Sequence, residues 1–104
     1  MKLKDLIEQS QLIKKLYEQV TDFDRNLQIM PVIDDIEKHL QAYDKALAGL
    51  KEKHKDEPQQ AEAEFQKLLE KDVKVNIVKV TKDEAKAAKL NPFQLRLVIQ
   101  YVEK

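Results

Sequence analysis

Residues 31–54 read PVIDDIEKHLQAYDKALAGLKEKH, and the spacing of apolar side chains in this stretch decides the fold class. Ile33, Ile36, Leu40, Tyr43, Leu47, Leu50 and His54 alternate steps of three and four. That period returns side chains to one face of an α-helix and, when sustained, forms a coiled-coil seam. Pro31 marks its start, because the residue before a proline is pushed away from helical angles. About 23 residues at 1.5 Å each give a rod of roughly 35 Å.

The segment before it carries the same signal. Leu3, Leu6, Ile13, Tyr17 and Val20 keep the three-four rhythm, with Ser10 at the one position where a hydrophobe is due. Ile7, Leu12 and Leu16 widen the stripe, so this first helix is expected to touch more than one neighbour. Two rods of nearly equal length joined by a short connection pack antiparallel. Residues 2–55 therefore read as a coiled-coil-like helical hairpin with Leu3 near Leu50.

Beyond the charge cluster KEKHKDE (51–57) and Pro58, residues 59–71 return to helical spacing with Ala61, Phe65, Leu68 and Leu69. Val73, Val75 and Ile77 then alternate with Lys74 and Asn76, and Val78 and Val80 prolong a β-branched run. This pattern makes 73–80 the best strand candidate. Its partner is either Asn26–Met30, forming a two-stranded ribbon at the hairpin tip, or a second chain. Thr81-Lys82-Asp83-Glu84 has the spacing of a capping box and starts a short helix to about Lys89. Asn91-Pro92 starts a final helix that runs to the C-terminus. The fold class is mainly α with minor β: a long antiparallel hairpin, a small C-terminal strand and short helices, read as a single folding unit over 1–104.

Composition narrows the function classes. Among 104 residues, Lys+Arg and Asp+Glu each number 19, so no net field draws the chain to nucleic acid or to an anionic membrane. Nucleic acid is disfavoured further by basic clusters (Lys14-Lys15 and the lysines of 51–55) that acidic residues interrupt. There is no cysteine, and the first residues, MKLKDLIEQSQ, are charged where a signal peptide is apolar, which points to a cytoplasmic protein. No stretch approaches the roughly 20 apolar residues of a membrane span.

Candidate chemical groups find ordinary explanations. His39 and His54 stand fifteen apart, without the spacing of metal ligands. Asp34-Asp35, read as lying near a helix start, suit the positive end of the helix dipole. No serine sits in a nucleophile elbow, and the lone glycine, Gly49, precludes a glycine-rich phosphate cradle. No catalytic residue, metal or cofactor is expected, and enzyme activity is disfavoured.

The terminal helix stands apart. Phe93, Leu95, Leu97, Val98, Ile99, Tyr101 and Val102 leave little polar face. It is either the central core helix or an exposed patch that closes a homodimer or docks another protein. Phe93, Leu95, Ile99, Tyr101 and Val102 are the candidate interface residues. Leu95, Ile99 and Val102 form one stripe, and Phe93, Leu97 and Tyr101 another, so that one stripe can face the chain itself and the other a partner.

The element order resembles an uncharacterised family of small proteins from phages and prophages of Gram-positive bacteria. The similarity lies in the leading helix, the proline-started heptad helix and the tail VKVNIVKVTKDEAKAAKLNPFQLRLVIQYVEK. It implies a phage or prophage accessory protein in the bacterial host cytoplasm, acting in virion assembly or by binding a host protein, with itself and another protein as partners. It implies no catalytic residue. A looser likeness is to prefoldin-type chaperone subunits, which place β structure between two long helices. That likeness suggests a chaperone or assembly scaffold as the alternative, although here further elements follow the second rod.

Overall fold

A computed structural model describes residues 1–103. Five helices are present: α1 (Leu3–Tyr17), α2 (Phe23–Lys53), α3 (Pro58–Leu69), α4 (Lys82–Ala87) and α5 (Pro92–Val98), the last continued by a 3-10 turn, Ile99–Tyr101. The chain is mainly helical, as the heptad stretch requires.

The two rods are unequal, and the reason is the proline. α2 does not start at Pro31 but eight residues earlier, where the Asp22 carboxylate accepts the Arg25 amide at 3.0 Å and caps the helix. A capped start satisfies an otherwise free N–H. Met30 offers no such group. Pro31 then sits inside the helix on its solvent face, where the ring removes one hydrogen bond and strains the preceding turn. Burial of Ile29, Val32 and Ile36 on the opposite face offsets that cost, each fully buried aliphatic contributing about 1.5–3 kcal/mol. Asn26–Met30 is therefore helical and pairs with no strand. Asp34 and Asp35 lie three turns inside α2, so the dipole account given for them fails; the acidic residue of the first turn is Asp24.

At 1.5 Å per residue α2 is about 46 Å long and α1 about 22 Å. α1 lies antiparallel to the first part of α2, with Lys14 paired to Glu37 and the Asn26 amide donating to the Val20 carbonyl. The far part of α2 is covered by α3. The Tyr43 and Phe65 rings stand 6.3 Å apart, and the buried His54 meets Glu64 at 3.0 Å. Leu47 and Leu50 face Ala61 and Phe65 rather than α1. Leu3 is met by the end of α3: its amide donates to the Lys71 carbonyl at 2.8 Å, and Lys2 and Lys4 both pair with Glu70. These two ammonium groups hold the exposed Glu70 carboxyl well below its ordinary value, to about 2.

Residues 73–80 are extended but form no strand, which corrects the expected C-terminal β element. Their burial alternates as the sequence does, Val73, Val75 and Ile77 half-buried between exposed Lys74 and Asn76. The β-branched run sets the backbone conformation, but a ladder needs a second extended segment. None lies beside it, because the run follows α1, whose backbone groups are already paired. The Tyr17 phenol substitutes for a neighbouring strand at one position, donating to the Val78 carbonyl at 3.1 Å and accepting the Val78 amide at 2.9 Å. Isolated bridges close the run at both ends, Lys2 with Asp72 and Val80 with Val102. The second bridge explains why the last helix stops short: Val102 must be extended to meet Val80.

α1 is consequently covered by α2, the end of α3, the extended run and α5, as its broad stripe required. Its buried polar residues are satisfied locally. Ser10 donates to the Ile7 carbonyl, and the Gln9 carbonyl oxygen accepts the Tyr101 hydroxyl at 2.9 Å. Among the described residues no helix is long and apolar enough to cross a membrane.

Two measurements check this account. Pro31→Ala restores a backbone donor within an exposed stretch of α2 and raises stability by about 1–3 kcal/mol in urea unfolding. Burial pushes the Tyr17 phenol up to about 12, from an unfolded value near 10. Below pH 10 both states keep the proton. Between 10 and 12 the unfolded chain releases a proton that the folded chain holds, so stability falls with rising pH by about 2–3 kcal/mol. Tyr17→Phe reduces this alkaline loss and costs about 1–3 kcal/mol at pH 7, because Val78 loses its partner on both backbone groups.

Candidate protein-docking groove

The sequence between Thr81 and Val102 builds a groove from two short helices. At α4 the Thr81 hydroxyl accepts the Glu84 amide while the Glu84 carboxylate accepts the Thr81 amide. At α5 Asn91 and Gln94 repeat the reciprocal pair. Helices of six and seven residues are too short to persist alone. Their caps and their burial hold them: Ala85 and Val98 are buried, and the left-handed turn at Lys89 (φ 54°) reverses the chain between them.

One ion pair sets α4 in place. Arg25 donates through Nη1 to Glu84 Oε2 at 2.5 Å and through Nη2 to the Lys79 carbonyl at 3.2 Å. The Arg25 hydrogen bond holds the Glu84 carboxyl below its ordinary value, with the Thr81 amide adding to the effect. The same carboxylate therefore caps α4 and ties it to the first turn of α2. α5 is fixed from the other side, by Val98 in the core and by the Tyr101 hydroxyl on Gln9.

Between α4 and the C-terminal segment lies a cavity of about 910 Å³, open to solvent. Its floor is aliphatic, made by Ala85, Leu90, Leu95, Ile99 and Val102. Lys79, Lys82, Lys86 and Lys89 border it, against a single acidic side chain, Glu103. Lys82 and Lys86 lie one turn apart on α4, Lys89 stands at the reversal that follows it, and Leu95 of α5, Ile99 of the 3-10 turn and the extended Val102 line the facing side. An apolar trough with a cationic border favours a ligand that is apolar on one side and acidic at its edges.

The candidate interface residues divide between the two sides of the terminal segment. Leu95, Ile99 and Val102 line the groove, Ile99 being 52% exposed. Tyr101, with Leu97, packs against the core cluster. Phe93 stands in solvent at the first turn of α5, 83% exposed, and lines no part of the groove. The terminal segment is thus core on one stripe and open surface on the other. The lysine border was not legible in the sequence, because KDEAKAAK (82–89) shows its lysines but not the aliphatic residues they face. His39 is half-buried on α2, and the buried His54 bridges α2 and α3, meeting Glu64. Among the described residues no group of three or more His, Cys, Asp or Glu side chains could hold a metal ion.

Arg25→Ala frees α4 from α2 and costs about 1–3 kcal/mol at pH 7, read by urea unfolding. Because the folded Glu84 carboxyl lies below its unfolded value, this stabilisation is present above about pH 4.5 and is lost as pH falls through the folded value. The difference between wild type and variant therefore narrows at pH 3. No family model, curated protein or solved structure matches the chain.

Proposed function

We propose that this chain is a non-enzymatic accessory protein that acts through protein–protein contact, and that the groove between α4 and the C-terminal segment is its contact surface. The observation that carries the reading is one open cavity in which Lys79, Lys82, Lys86 and Lys89 border an aliphatic floor of Ala85, Leu90, Leu95, Ile99 and Val102. Such walls offer hydrophobic area and long-range attraction, which together hold and orient a helix. The fitting occupant is a helix with an apolar face and carboxylates along its edge. The trough floor has no aromatic side chain on which bases could stack, and Glu103 interrupts the cationic border, so a protein partner fits better than nucleic acid. The resemblance to phage and prophage proteins supports a role in virion assembly or in binding a host protein within a bacterial cell.

The reading is tested with a synthetic helical peptide carrying leucines at i, i+4 and i+7 and glutamates on either side. Amide and methyl shifts are expected to move at Ala85, Leu95, Ile99 and Val102, and binding is expected to weaken as salt rises. Lys82→Glu with Lys86→Glu weakens it about tenfold or more, in line with loss of two attractive contacts and gain of two repulsive ones. Equal binding by a peptide with serines in place of the leucines, or shift changes elsewhere on the molecule, refutes the proposal. A short DNA duplex that binds the groove more tightly than the peptide refutes it too.

A further inference from the structure

Resting on that reading, we infer that the helix received by the groove belongs to a second copy of this chain, and that it is the start of α2. Phe23, Leu27 and Met30 recur at i, i+4 and i+7, and they are 73%, 50% and 59% exposed. Three large apolar side chains in one exposed row are unusual on a surface that is otherwise strongly charged. They lie opposite the buried face formed by Ile29, Val32 and Ile36.

The charges around this row match the groove. Asp22, Asp24, Asp34 and Asp35 are exposed within and beside it, while Arg25 is turned away and engaged by Glu84. Lys38 is the next cation along the helix. An apolar row with acidic edges thus exists on the same chain as an aliphatic trough with a lysine border.

Both surfaces also sit at the same end of the molecule. The Arg25 contacts to Glu84 and to the Lys79 carbonyl join the first turn of α2 to the groove wall. Two copies meeting at this end can each place the row in the partner's groove, so the two contacts form together and close a dimer.

Sedimentation and light scattering of the full chain over a concentration series are expected to show twice the 12.2 kDa monomer mass. Leu27→Asp with Met30→Asp removes the row, and Leu95→Asp with Ile99→Asp removes the trough. Each doubly substituted chain is expected to self-associate at least tenfold more weakly, and an equimolar mixture of the two is expected to recover a dimer through the one intact contact. The row variant also keeps its binding of the acidic test peptide, which shows that it is folded. A wild-type chain that stays monomeric while binding the peptide overturns this inference and leaves the proposed function standing. A dimer that survives either pair of substitutions overturns it, as does a mixture that does not recover one.

Discussion

Helix α1 buries eight of its 15 positions, and the other elements are arranged around it. Leu6 and Ile13 are wholly inaccessible, and Leu16 nearly so. A helix apolar on more than one stripe cannot be covered by a single partner, so this constraint calls on α2, the end of α3, the extended run and α5 together. The polar residues on its buried faces, Gln9 and Ser10, keep the helix from being a featureless apolar rod. Gln9 in particular fixes the azimuth of the C-terminal segment by accepting the Tyr101 hydroxyl. A buried polar group left unpaired costs more than a hydrogen bond gains, so the pairing selects one placement of that segment.

The groove follows from the same constraint at one remove. The C-terminal segment must present Val98 and Tyr101 to the core, and this leaves the neighbouring Leu95 and Ile99 facing the cavity. α4 is held over them by Arg25 and Glu84, not by a large apolar face of its own. A helix secured by an ion pair and a cap, with one buried alanine, can border a cavity without collapsing into it. The open apolar floor is therefore a product of how the core is satisfied.

Much of the local structure was legible in particular residues. The helical character of 31–54, the capping box at Thr81 and the helix cap at Asn91 were encoded in spacing and in side-chain hydrogen-bonding capacity. Pro31, taken as a boundary, shortens α2, makes Asn26–Met30 available as a strand and hides the row of Phe23, Leu27 and Met30. Asp22 was the missed signal: an aspartate three residues before Arg25 can cap a helix start. The lysine border of the groove was visible in KDEAKAAK, but nothing in that stretch says what lies opposite it.

By itself the sequence determined what each segment could do locally: which stretches were helical by period, and that Thr81 and Asn91 would cap the last two. Those properties depend on side chains within about seven residues of one another, which a linear reading contains. Only the tertiary structure decided that the extended run would pair with a tyrosine and not a strand, that a proline would be carried inside α2, and that one stripe of the C-terminal segment would be left open beneath four lysines. The first and last of these outcomes are set by a free-energy balance between groups more than fifty residues apart, Tyr17 with Val78 and Arg25 with Glu84, and the second by burial of Ile29, Val32 and Ile36; each balance exists only once the helices are packed.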